Sequence, residues 1–105
     1  MSERTAKRVK DMGWRGHATL YALSHPMEWE EYCPDTEEYV SKPCDHCIVS
    51  AVVAMFSGPE TYIFPADAGS AESCEPLNWT ELPGSFRGRM DHARALRNAG
   101  YEIVG

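Results

Sequence analysis

Cys44-Asp45-His46-Cys47 places two cysteines at a spacing that lets both sulfurs turn toward one tetrahedral metal ion. Cys33 lies upstream and is followed by Pro34, while Cys44 is preceded by Pro43, so stiff backbone flanks both arms of a would-be zinc loop. Cys74 would complete a four-cysteine set, and His25 or His46 would instead complete a three-cysteine, one-histidine set; zinc accepts either. A structural zinc ion held by Cys33, Cys44, Cys47 and one of these three would supply the ordering energy for residues 25–47. The plainer alternative is four reduced thiols, because the second Cys-x-x-Cys knuckle of a double site is missing. Disulfides are a third and weaker alternative.

The same pair invites a thiol-redox reading. Oxidoreductase motifs of this spacing place the first cysteine at a helix N-terminus after a strand, whereas Cys44 and Cys47 precede a strand-like run. His17, His46 and His92 invite acid–base roles beside Asp45, Asp67 or Asp91. None of them comes with a motif that fixes nucleophile, base and orienting group together, so the expectation is a non-enzymatic protein. Asn78-Trp79-Thr80 matches a glycosylation acceptor, but residues 2–11 lack the apolar core of a secretory signal.

The elements that must carry these residues are read from periodicity. Ala6, Val9 and Met12, spaced by three, predict a short N-terminal helix over residues 3–12 ended by Gly13. His17 to Leu23 suits a strand, and His25-Pro26 should stop it. Residues 25–46, acidic and punctuated by Pro26, Pro34 and Pro43, read as a loop that something must tie down. Residues 47–56 form an apolar run expected of a central strand. Ser57-Gly58-Pro59-Glu60 gives turn chemistry, and Thr61 to Phe64 returns as the second strand of a hairpin ended by Pro65. Trp79 is expected to anchor the irregular segment 66–85. Asp91 caps a helix over 92–99, Gly100 takes the left-handed position after it, Tyr101 packs back on Leu96, and a last strand follows. The expected fold is a single α+β domain over residues 1–105. It has an antiparallel or mixed sheet of three to four strands, a short N-terminal helix, a C-terminal helix packed on the sheet, and a loop-rich acidic middle.

Charge narrows the partners. The net charge of −6 divides into +3 over residues 1–15, −11 over residues 16–86 and +2 over residues 87–105. Six of the acids lie between Glu28 and Glu38, a concentration that repels phosphates and suits a basic protein partner better than nucleic acid. Charge runs also serve simply to solvate a loop. A competing reading is a small zinc-dependent nucleic-acid-binding regulator that uses Lys7, Arg8 and Lys10 together with an Arg87, Arg89, Arg94 and Arg97 face. The longest apolar stretch, Ile48 to Phe56, is far short of the roughly 20 residues that cross a bilayer, so no membrane span is expected.

Gly58 to Asp67, Trp79 to Gly88, Asp91-His92 and Ala95-Leu96 through Tyr101 resemble small accessory proteins encoded by bacteriophages of actinobacteria. The likeness covers roughly residues 47–105 and weakly 16–23, and it excludes the cysteine-bearing stretch 33–47. It implies an accessory role in the host cytoplasm, acting on a host or phage protein, and carries no activity to transfer to any residue.

Overall fold

The computed structural model describes residues 4–13, 17–54 and 58–104. Eight elements follow one another: β1 (Thr5–Asp11), β2 (His17–Cys33), β3 (Glu38–Ala54), β4 (Gly58–Ala66), α1 (Ser70–Ser73), β5 (Phe86–Arg87), α2 (His92–Asn98) and β6 (Glu102–Val104). The strands form a single sheet in the order β5-β4-β3-β2-β1-β6, antiparallel except where β6 joins β1 in parallel. It curls into a half-barrel, and the chain is 57% strand and 12% helix. The expected α+β fold with three or four strands is thereby corrected to a mostly β fold with six.

Two of the misread segments account for the difference. Residues 5–11 are a strand: Ala6 pairs with Leu23, and Val9 is bulged out between the Arg8–Tyr21 and Lys10–Leu20 pairs. A bulge inserts one residue and changes which face the following side chains meet. Ala6 therefore enters one core cluster and Met12 the other, and their spacing imitates a helix. Residues 25–46 are the outer part of a long hairpin. Its ladder runs from Met27–Cys44 to Cys33–Glu38, and Pro34 to Glu37 form the turn. Prolines are excluded from central strands and tolerated at edges and turns. Pro34 sits in that turn, Pro26 in an irregular stretch of β2, and Pro43 opposite Glu28 where β3 has lost its neighbour β4. Near its root the ribbon alternates buried Met27 and Trp29 with exposed Glu28 and Glu30, one face packed and one wetted, and toward the tip it is largely exposed.

The expected hairpin of residues 47–56 with 61–64 is present, but Gly58 to Glu60, read as turn, belong to the returning strand: Ile48 pairs with Phe64, Val49 with Ile63 and Val52 with Glu60. β4 begins at Gly58 and runs past Pro65 to Ala66. Met55 to Ser57, predicted as strand end and turn start, and Glu3, the predicted helix start, lie outside the described residues. The C-terminal helix follows its reading closely. The Asp91 side chain accepts from the Arg94 amide at 3.0 Å, Gly100 has φ +95°, and the Gly100 and Tyr101 amides donate to the Arg97 and Leu96 carbonyls at 3.0 and 2.8 Å.

The sheet packs on both faces. One face, covered by α2, gathers Ala6, Tyr21, Trp29, Cys47, Val49, Ile63, Leu82, Leu96 and Tyr101. The opposite side gathers Met12, Ala18, Leu20, Ile48 and Ala66 under α1. Leu82, rather than Trp79, anchors the segment between the helices: Leu82 is buried, whereas Trp79 is 63% exposed with its ring edge-on to Phe64. That segment is fastened along β4, because the Leu82 amide donates to the Ile63 carbonyl at 2.8 Å and the Ile63 amide donates to Ser85 Oγ at 2.9 Å.

Candidate functional site

The four cysteines do not gather. Cys33 closes the outer hairpin at its turn, and Cys74 lies half-buried against the α1-side cluster in a left-handed conformation, φ +57°. Cys44 and Cys47 both enter the core under α2, where the Cys44 thiol donates to the Met27 carbonyl at 3.2 Å. His25 is exposed beside Ser24, and the His46 ring lies 2.7 Å from the Asp45 carboxylate on a half-buried strand position. Among the described residues, no three Cys, His, Asp or Glu side chains are placed to hold a metal ion, and none of the four cysteines is joined in a disulfide. Residues 25–47 are ordered by the β2–β3 ladder and by the burial of Met27, Trp29 and Cys44.

Thiol chemistry is likewise disfavoured at the Cys-x-x-Cys pair. Burial pushes the Cys44 thiol up to about 11, and desolvation pushes Cys47 further in the same direction. The reactive thiolate is the scarce form at both. Cys33 is held below the ordinary thiol range, first by the Thr36 hydroxyl and then by the turn amides of Thr36 and Asp35.

His92 is occupied structurally. Its Nε2 lies 2.8 Å from the His17 carbonyl and its Nδ1 3.2 Å from the Tyr21 hydroxyl. A carbonyl only accepts, so Nε2 carries the proton, and Nδ1 accepts from Tyr21. Desolvation lowers the His92 pKa, reinforcing this neutral tautomer. Three of the basic side chains make contacts within the chain. Arg87 pairs with the buried Glu60 carboxylate at 3.3 Å, the Arg94 guanidinium lies 5.2 Å from the Phe86 ring centroid, and Lys10 donates to the Ala71 carbonyl.

What remains uncommitted is the outer ribbon. Beyond the pairs Ala6–Leu23 and His46–Ala66, neither β1 nor β4 accompanies the hairpin, and residues 27–33 and 38–44 project with both long edges open. At the tip the Tyr32 and Tyr39 rings, both exposed, meet at 5.3 Å between centroids. Glu28, Glu30, Glu31, Asp35, Glu37 and Glu38 line the ribbon against Lys42 as its one base, which pairs with Glu31. At the root, Trp29 packs into the core under α2. Beside it a groove of about 380 Å³ opens between the ribbon and residues 80–83, bordered by Glu28, Glu30, Tyr39, Ser41 and Glu81.

Comparison of the chain with protein-family models, curated proteins and solved structures finds no match. The site must be read from its own chemistry. Sequence reasoning located the acids but not the ribbon that displays them; the available signal was the turn run Pro34-Asp35-Thr36-Glu37 between two stretches containing Trp29, Tyr32, Tyr39 and Val40. No helix among the described residues is long and apolar enough to cross a membrane.

Proposed function

We propose that this protein is a non-enzymatic binding module that engages a basic protein through its acidic β-ribbon. The observation that carries this reading is a projecting two-stranded element with open edges, six carboxylates against one lysine, and a pair of exposed tyrosines at its end. Aromatic rings supply contact area at small entropic cost, while a field of one sign steers an oppositely charged partner and rejects a like-charged one. A second copy of this chain would bring the same negative ribbon and be repelled. The resemblance of residues 47–105 to actinobacteriophage proteins supports a partner of host or phage origin in the host cytoplasm. The occupied state of His92 and the raised thiols of Cys44 and Cys47 weigh against an enzyme. The intramolecular use of Arg87, Arg94 and Lys10 weighs against the nucleic-acid alternative.

The test neutralises the ribbon as a whole, with Glu28→Gln, Glu30→Gln, Glu31→Gln, Asp35→Asn, Glu37→Gln and Glu38→Gln in one variant. Immobilised wild-type protein should retain a basic protein from host lysate, with retention that weakens as salt rises, and the folded neutral variant should lose it. Equal retention by both would refute the proposal.

A further inference from the structure

Beyond the Ala6–Leu23 and His46–Ala66 pairs, both edges of the ribbon lack a neighbouring strand among the described residues, and the two edges are not alike. An open edge presents unpaired amides and carbonyls, a template for another strand, and natural sheets blunt such edges with lysine, proline or a bulge. The β3 edge, Glu38 to Cys44, carries Lys42 and Pro43, and the proline removes a donor. The β2 edge, Met27 to Cys33, contains no lysine, proline or glycine. All seven of its residues are laddered to β3, from Met27–Cys44 to Cys33–Glu38. In such an antiparallel ladder alternate residues turn both amide and carbonyl away from the partner, so the β2 edge holds a row of these groups in register for a further strand.

Charge decides what can pair there. Side chains alternate along the edge: Glu28, Glu30 and Tyr32 are exposed on one face, and Met27 and Trp29 are buried on the other. Among the described residues, neither Glu28 nor Glu30 has a cationic partner. Opposite charges on neighbouring strands stabilise the pairing, and like charges directly opposite destabilise it. A second copy of this edge would set glutamates against glutamates. An extended segment with lysine or arginine at alternate positions sets cations beside Glu28 and Glu30 instead, and the residues between them fall on the face of Met27 and Trp29.

Resting on the acidic-ribbon reading above, we infer that a basic segment of the partner binds as an added strand on the β2 edge, extended along Met27 to Cys33 with lysine or arginine at alternate positions on the Glu28 and Glu30 face. Backbone hydrogen bonds to the edge hold the segment, and the alternating carboxylates select its sequence.

The probe is an acetylated, amidated peptide of alternating arginine and valine, titrated into the full chain by calorimetry and followed by amide hydrogen exchange. Two further peptides keep the same side chains but carry N-methyl groups, on the arginine amides in one and on the valine amides in the other. In an added strand only one of these two sets faces the protein, because arginine is fixed to the Glu28 and Glu30 face. Each hydrogen bond is worth about two- to tenfold in affinity, so one methylated peptide should bind roughly tenfold or more weakly than the parent and the other about equally to it. Alternate amides of residues 27–33, quick to exchange in the free protein, should slow on binding, while those exposed on β3 keep their rates. Equal affinities of the two methylated peptides, or protection arising on β3 instead, would overturn strand addition and leave the ribbon as a surface that acts by charge alone. Protection of the β2 edge that rises with protein concentration in the absence of peptide would make a second copy the occupant and overturn it too. Failure of the parent peptide to bind even at low salt would remove the acidic-ribbon reading as well.

Discussion

Replacing Gly84 with alanine tests whether residues 80–83 hold their place by close approach to the body of the protein. Gly84 has φ +109°, and an added Cβ would lie 2.6 Å from the Ala95 carbonyl oxygen, 2.8 Å from Ile63 Cδ1 and 3.0 Å from Ala99 Cβ. The first of these atoms is helix backbone and the second belongs to a fully buried side chain, so neither yields without moving α2 or the sheet. Gly88 is the control: its φ of +101° imposes a similar backbone penalty, but a Cβ there meets nothing within 4 Å. A left-handed conformation costs alanine about 1–2 kcal/mol, offset by about 0.4–1 kcal/mol from the stiffer unfolded chain. Overpacking adds about 1–3 kcal/mol at Gly84 alone. Gly84→Ala should therefore lose roughly 2–4 kcal/mol and Gly88→Ala about 1 kcal/mol or less, out of the roughly 5–15 kcal/mol typical of a domain. With a urea slope of about 1–3 kcal/mol/M, the two variants should unfold at midpoints about 1 M apart. Coincident midpoints would refute the packing argument, and with it the fixed wall of the groove.

Two further outcomes follow from the core. The folded pKa of His92 is lowered, so the unfolded chain takes up its proton first as pH falls below about 6.5; the stability from the Tyr21–His92–His17 chain is whole above that pH and is lost as pH falls through the folded value. Urea midpoints at pH 8 and pH 5 should differ more in wild type than in His92→Gln, and equal differences would discard the assignment. Iodoacetamide at pH 8 should label Cys33 rapidly while Cys44 and Cys47 react only on unfolding, as mass mapping of the labelled peptides would show; early modification of Cys47 would contradict its burial.

The sequence spoke clearly where local chemistry settles the conformation. Asp91, Gly100 and Tyr101 identify both ends of α2, because a cap and a left-handed exit depend on residues within one turn. Ile48, Val49, Ile63 and Phe64 identify the central pairing, because apolar strands bounded by turn residues have few alternatives. It misled where a non-local ladder overrode a local cue. The three-residue spacing of Ala6, Val9 and Met12 came from a bulge that moves Met12 to the other face, and no window on one strand shows a bulge, which exists only relative to a partner. Pro26, Pro34 and Pro43 were read as breaks, although each stands where a ribbon tolerates a missing donor. The Cys44–Cys47 spacing suggested coordination, yet both side chains are consumed by the core. The indole nitrogen of Trp29, buried without a hydrogen-bond partner among the described residues, had no signature at all, since satisfaction of a donor is a property of its surroundings in space.

The irregular stretch of β2 sets four residues, Leu23 to Pro26, against Asp45 alone, and the Tyr101 hydroxyl fastens it by donating to the His25 carbonyl at 2.8 Å. Such an offset acts as a joint that separates two ladders. Lengthening or shortening the outer ladder by whole residue pairs leaves the register of the inner one untouched. The reach of the ribbon is thus free to be tuned while the half-barrel that carries it stays the same.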